Sequence, residues 1–474
     1  QTVEKPPLKR RFSGGFVLLM IQYNRVINLL ERAPNLRNNL QIVDLEGMVP
    51  QDHLLRKIDK VVDFNHIYDL VEHLYCQDNG RPAVDPVVLV KMVLIQHLYG
   101  IKSLRQTVKE IDMNIAYRWF LGFDLSVKIP HFATISYAFT HRFPSELLED
   151  IFAWILEEAV AKGYVDASTV FIDATHIKAN ANRKKSRKVL ARQTARVYDK
   201  QLREEINQDR LNNGKKPLKD RDDDENKGIK QITVSTTDPE CGLFHKGEHK
   251  VEFAYTVHVA CDKRNFILSC EVTPGNVHDS IVFDTVYDQA MKRFPEARTI
   301  AVDAGYKTPW ICKKIIDDGR NPFTPYKRPM NKAGFFHPYE YVYDEYYNCV
   351  ICPNNQVLAY TTTNKEGYRE FKSNPAICKD CPHLSKCTNS KNHQKVVTKH
   401  IWENYIEQAE DYRHSPAGKE SYRMRSQTIE RVFADAKEKY AMRYTLFRGL
   451  TRVRNWVKLK FAAMNLKKMA MWAY

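Results

Sequence analysis

Two apolar runs of the same grammar constrain this chain more than anything else in it. Thr169-Val170-Phe171-Ile172 leads into Asp173-Ala174, and Thr299-Ile300-Ala301-Val302 leads into Asp303-Ala304. Short β-branched and aromatic runs read as buried strands. An unpaired carboxylate is costly to bury at the end of such a strand, so it calls for a partner, and neighbouring strands would bring the two acids together. Hard ions such as Mg²⁺ take a few carboxylates along with water and phosphate oxygens, and two such ions clamp the attacking and leaving oxygens in phosphoryl transfer. Aspartates at strand ends also serve as turn caps, so the pair alone does not decide between the two roles.

The surrounding pattern places these strands in a larger plan. Residues 20–150 read as helices, with Ile58, Val61, Val62, Ile67, Leu70, Val71 and Leu74 at helical spacing. Gly80-Arg81-Pro82 breaks the pattern, and a second group runs from Pro86 to Leu98, Leu104 to Ile111 and Ile115 to Phe120. Its basic residues Lys91, Lys102, Arg105, Lys109 and Arg118 suit a helix-turn-helix DNA reader, and they also suit the solvated face of a plain bundle. After Asp173 comes a charged excursion over 181–235, too polar for a core and expected to be helical with a mobile stretch near Asp222 to Lys227. Strands follow at Glu252 to Cys261 and Phe266 to Val272, then a helix from Asp279 to Arg293, the Asp303 strand, a helix at Trp310 to Asp317 and a short strand near Pro322 to Thr324. A cysteine-rich insertion spans 327–412, and one helix from about Gly418 carries Tyr422, Arg425, Glu430, Phe433 and Lys437. The expected fold class is α/β: a ribonuclease H-like catalytic domain over 165–326 and 413–474, a helical N-terminal domain over 48–150 and a leader over 1–47, with Met20 a candidate natural start.

Charge and cysteines narrow the partners. The 474 residues carry 73 Lys and Arg against 57 Asp and Glu, a net charge of +16, so a polyanion is the first partner to consider. Val87 to Ile95 is the most apolar run, and Lys91 breaks it far short of the ~20 residues that span a bilayer. Nucleic acid therefore outranks a membrane. Of ten cysteines, five are scattered and five crowd together as Cys349-x2-Cys352, Cys378-x2-Cys381 and Cys387. That spacing suits four thiolates around one structural Zn²⁺ and a reducing compartment, the cytoplasm. An iron–sulfur cluster or free loop thiols are the alternatives, and the fifth cysteine leaves open which four would bind.

The joint setting of these motifs resembles the DDE-type insertion-sequence transposases. The stretch from Val49-Pro50-Gln51-Asp52-His53 through Gly80-Arg81-Pro82 to Tyr117-Arg118-Trp119-Phe120 is similar to that family's helical N-terminal domain. Phe171-Ile172-Asp173-Ala174-Thr175, Thr273-Pro274-Gly275-Asn276-Val277-His278-Asp279, Val302-Asp303-Ala304-Gly305-Tyr306 and Ile429-Glu430-Arg431-Val432-Phe433 follow in the family's order. The resemblance implies a catalytic triad of Asp173, Asp303 and Glu430 holding two Mg²⁺ or Mn²⁺ ions. It puts Tyr422, Arg425 and Lys437 near the scissile phosphate, with Arg448 among the DNA contacts. His278 and Asp279 are read as structural, at a helix start. The expected reaction is attack of water on a phosphodiester at the element's end, then attack of the freed 3′-hydroxyl on target DNA. Double-stranded DNA is the expected partner, a homodimer on DNA the expected assembly, and the bacterial nucleoid in the cytoplasm the expected place. The rivals are a zinc-containing DNA-binding protein without catalysis, a nuclease of the same fold and an inactive domesticated relative.

Overall fold

Side-chain caps start the helices of the N-terminal third. Asp85, Ser103 and Asn114 accept from the backbone N–H of Val87, Gln106 and Tyr117, and Pro86 takes the first helical position. The computed structural model describes residues 42–76, 83–192, 198–219, 229–246, 250–326 and 332–474. The chain divides into two units at Asp44, and every helix and strand described belongs to the second. The leader as far as residue 41, Gly80-Arg81-Pro82 and the stretch near Asp222 to Lys227 lie outside the described residues.

Eight helices come first: α1 Leu45–Met48, α2 Leu54–Val61, α3 His66–Val71, α4 Pro86–Leu98, α5 Leu104–Met113, α6 Ile115–Leu121, α7 Phe132–Tyr137 and α8 Ser145–Ala161. α4 is apolar on all sides and buried from Val88 to Leu98 apart from Lys91, as expected of a helix through the middle of a bundle. Two of the five basic residues read as a DNA-facing set turn inward instead. Lys91 reaches Asp59 at 2.9 Å and the Phe120 carbonyl at 3.1 Å, and it lies over the rings of Phe64 and Phe120. Arg118, 6% exposed, donates to the carbonyls of Asp112, Asp124 and Val127 and to the Asp112 carboxylate. Lys102, Arg105 and Lys109 remain exposed.

The mixed part begins with β1 Thr169–Lys178, then β2 Ser186–Arg192, α9 Asp199–Asn212 and β3 Ile229–Ser235. Next come β4 Gly242–Lys246, β5 Lys250–Cys261, β6 Ile267–Pro274, α10 Asp279–Arg293, β7 Thr299–Val302, α11 Pro309–Asp317 and β8 Asn321–Phe323. The central sheet runs β5-β1-β7-β8, with β4 and β6 sharing the outer edge of β5. Strands β6, β5 and β1 are antiparallel, whereas β1, β7 and β8 are parallel. Among the described residues the charged excursion is helical in α9 alone. Its flanks pair as the separate ribbon β2-β3, and Leu202 and Ile206 of α9 bury against Trp402.

The insertion is more regular than its composition foretold. Strands β9 Val342–Asp344, β10 Cys349–Ile351, β11 Val357–Thr363 and β12 Tyr368–Lys372 lead through α12 Pro375–Lys379 and α13 Leu384–Cys387 to β13 Val396–His400. They form one antiparallel sheet in the order β13-β12-β11-β10-β9. α9 docks on it through Asp209, which takes the Arg369 guanidinium at 2.6 Å and the Thr363 hydroxyl at 2.5 Å. The chain then returns through α14 Glu403–His414, α15 Pro416–Arg425, α16 Ile429–Glu438 and α17 Leu450–Trp472. α17 packs against α2, α4, α8 and β6, so a single apolar cluster runs from Leu55 through the central sheet to Ala470. Several basic side chains of this last stretch are held internally: Arg454 by Glu271, Lys458 by Glu149, and Lys460 by the Tyr440 carbonyl beneath the Trp456 ring.

Candidate active site

The parallel register of β1 and β7 pairs Ile172 with Val302, which sets Asp173 and Asp303 one step beyond on adjacent strands. Arg425 bridges them, its guanidinium giving one nitrogen to Asp173 Oδ2 at 2.7 Å and the other to Asp303 Oδ1 at 2.9 Å. The Asp173 side chain is 16% exposed and that of Asp303 45%. Burial pushes the Asp173 carboxyl up to about 6 and the charge of Asp303 adds to the rise, while Arg425 and the Ala174 N–H pull it down. Two carboxylates on one cation form an electrostatic unit with the charge logic of a metal site, in which a guanidinium occupies the central position.

Arg425 reaches this point because α14 and α15 turn back on each other at a tight corner. At Gly418 a β-carbon would lie 2.2 Å from the Tyr412 carbonyl oxygen, so only glycine fits. The Tyr412 hydroxyl meets Thr299 Oγ1 at 3.0 Å and ties α14 to the start of β7. The single helix expected from about Gly418 is broken: α15 ends at Arg425 and α16 begins at Ile429. Thr428 is the physical cause, because its buried hydroxyl donates to the carbonyls of Met424 and Arg425 and its backbone leaves the helical region. Tyr422 and Arg425 therefore sit on one rigid piece, Glu430 and Lys437 on the next. α16 buries Ile429, Val432, Phe433 and Ala436 and packs against β1, with Glu430 exposed in its first turn. Tyr422 is 60% exposed, and exposed Arg448 donates its Nε to the Asn180 carbonyl at 3.0 Å. Among the described residues no three His, Cys, Asp or Glu side chains stand close enough to hold one ion, so Glu430 is not gathered with the two aspartates.

Behind the aspartates lies a group that sequence reasoning passed over. His258 of β5, 1% exposed, has Nε2 3.0 Å from Thr273 Oγ1, Nδ1 3.4 Å from the Tyr306 hydroxyl and Nδ1 3.8 Å from Asp279. Burial drives the imidazole down to about 3, so it is neutral. Burial and then the charges of Asp279, Asp173 and Asp303 push the Tyr306 phenol far up, leaving it a neutral donor. Asp279 itself is raised, first by burial, and the Asp303 charge adds to the rise against His278. His278 caps α10 by accepting from the Ser280 N–H, the structural role expected of it. Gly275 makes that turn possible, since a β-carbon there would meet the Ala254 carbonyl oxygen at 2.7 Å. A lone histidine amid Tyr255, Val257, Val259 and Ala260 was the available signal. Trp310 packs against Tyr198 with ring centroids 4.7 Å apart, and Tyr306 is buried.

Of the clustered cysteines, Cys352, Cys378, Cys381 and Cys387 line one cavity beside Ile377 and Lys395. Cys349 is buried in β10, paired in register with Asp344 and Ala359, and does not line that cavity.

Two family models match. One, described as a transposase domain (DUF772), covers residues 43–141, and the other, described as a transposase DDE domain, covers residues 351–470. The second takes in Tyr422, Arg425, Glu430, Lys437 and Arg448, while Asp173 and Asp303 lie between the two matched stretches. Comparison with curated proteins finds no match. Among solved structures, a Mos1 transposase paired-end complex with left transposon end is 9% identical at a TM-score of 0.16, over 52% of this chain and 61% of that one. This chain thus spans about three fifths of that protein's length, and a likeness at that score carries no argument about the fold. A transposase domain model thus matches ahead of the sheet that carries the two aspartates and a transposase DDE domain model matches behind it, and over both stretches this chain is similar to the transposases.

Proposed function

We propose that the chain cuts double-stranded DNA at the ends of an insertion sequence and joins the freed ends to target DNA, using Asp173, Asp303 and Glu430. The observation that carries this reading is the sharing of one cation by two carboxylates on adjacent parallel strands. The strand order, three antiparallel strands followed by two parallel ones, supports a ribonuclease H-like core.

The donor set suits two Mg²⁺ or Mn²⁺ ions, which when bound supply positive charge to the attacking and leaving oxygens. Asp173 and Asp303 would hold them, with Glu430 joining from α16. Neutral His258 and the Tyr306 hydroxyl meet behind the aspartates at 3.4 Å, with Asp279 3.8 Å from the imidazole. Arg425 neutralises the aspartates until phosphate arrives and then serves the phosphate, alongside Tyr422, Lys437 and Arg448. One structural Zn²⁺, drawn from Cys349, Cys352, Cys378, Cys381 and Cys387, belongs to the same reading. So do action as a dimer, since two ends are joined, and a cytoplasmic, nucleoid-associated place. Among the described residues no helix is long and apolar enough to cross a membrane.

The test is incubation of the full chain with paired DNA ends, a plasmid target and Mg²⁺. Cutting with covalent joining of ends to plasmid is the expected result; cutting alone assigns a nuclease, and neither overturns the enzymatic reading. A second expectation concerns the bridge. Arg425→Gln removes a cation from the place the ions would take, so it should tighten Mn²⁺ binding without DNA by about tenfold, roughly 1.4 kcal/mol. Calorimetric titration at about pH 8, above the Asp173 value of about 6, checks this. Unchanged or weaker binding would show that the guanidinium does not compete for the site.

A further inference from the structure

We propose that Cys352, Cys378, Cys381 and Cys387 bind a single Zn²⁺ and that Cys349 takes no part, which names the ligands of the structural zinc in the reading above. The four thiols come from two places in the insertion, the turn after β10 and the α12–α13 segment, yet line one cavity. Cys349 lies inside β10, where its side chain belongs to the strand's buried register rather than to the turn.

The surroundings of the four are those of metal thiolates. The Gln356 N–H donates to Cys352 Sγ at 3.4 Å and Asn354 Nδ2 to Cys381 Sγ at 3.6 Å, hydrogen bonds that stabilise negative sulfur. The Tyr341 hydroxyl lies 3.3 Å from Cys387 Sγ. Lys395 donates to the Cys387 carbonyl at 3.1 Å and lies over the Tyr341 ring, bringing a positive charge to a site that four thiolates and one Zn²⁺ would leave at a net charge of about −2. Pro353 and Pro382 follow two of the ligands and hold their turns. Among the described residues no three of these side chains stand close enough to hold an ion, so the proposal requires the four thiols to converge from the cavity wall when the metal binds.

The energetics also call for a cross-link. Among the described residues the apolar cluster of this five-stranded sheet holds four buried side chains, Tyr341, Val350, Leu358 and Phe371, with six partly buried ones packed against them. So small a core supplies little net stability, and a structural metal is a common remedy. Zn²⁺ at this place would fasten the β10–β11 turn to the α12–α13 segment, which hydrogen bonds along the sheet do not join.

The experiment uses the full chain and metal content, so its outcome is independent of DNA cleavage. Mass-spectrometric metal analysis is expected to give one Zn²⁺ per wild-type chain, and the Co²⁺-loaded chain the visible bands of a tetrahedral tetrathiolate. Cys349→Ser should keep both properties. Cys352→Ser, Cys378→Ser, Cys381→Ser and Cys387→Ser should each lose tight metal binding. If these variants fail to fold, thiol counting on the wild type decides: four cysteines should become reactive in step with metal release by a chelator. A wild-type chain without stoichiometric metal, loss of metal in Cys349→Ser, or a thiol count other than four overturns the proposal.

Discussion

Asp303→Asn is expected to fold and to hold double-stranded DNA as the wild type does, and to lose Mg²⁺-dependent cleavage by about a thousandfold or more. The substitution keeps the shape and removes the charge. A lost carboxylate ligand gives up several kcal/mol of transition-state charge stabilisation, and each step of about 1.36 kcal/mol is a factor of ten in rate. Stability should change little, within about 1 kcal/mol. Asp303 is the more open of the two aspartates at 45% exposure, and ion pairs at such exposure contribute weakly. Thermal melting, fluorescence anisotropy with labelled DNA and a gel assay of strand cutting together separate a catalytic loss from a folding or binding loss. Cleavage within tenfold of wild type would sink the assignment.

Arg118→Ala is expected to destabilise the chain by about 1–3 kcal/mol, the cost of taking the donor from buried carbonyls, since the Asp112 carboxylate is 57% exposed and its ion pair adds little. Its guanidinium satisfies three carbonyls and one carboxylate where α5, α6 and the following loop meet. Alanine leaves those oxygens without their donor. Denaturant unfolding measures the loss. By contrast, Lys109→Ala on the exposed face of α5 should leave stability within about 0.5 kcal/mol. A fall in DNA affinity with unchanged stability in Arg118→Ala would return this residue to the DNA-reading face.

That contrast shows what the sequence made legible and what it hid. The pairing of the aspartates was legible because the two β-branched runs lie side by side in parallel register, but only Asp303 follows a strand end: β1 runs on to Lys178, so Asp173 stands within its strand and not at its exit. The helix Asp279–Arg293 was equally plain, since His278 supplies its cap. Arg118 was misplaced because composition counts a guanidinium as surface charge, and only tertiary packing tells which carbonyls surround it. The break at Thr428 was hidden because apolar spacing runs through it, and one hydroxyl decides locally against the helix. The sheet of the insertion was hidden because its strands are three to seven residues long and half-exposed, too short for alternation to stand out. His258 was overlooked because it sits in an apolar strand that already had a structural explanation.

The placing of α17 also bears on how the molecule is made. Residues 450–472 fill the space between α2, α4, α8 and β6, so α2 and α4 meet their principal packing partner only after about 350 to 390 further residues have been translated. Until then α4 keeps an apolar flank open to water, the condition in which a growing chain is prone to aggregate. A chain cut short of α17 would lack the piece that closes this apolar cluster.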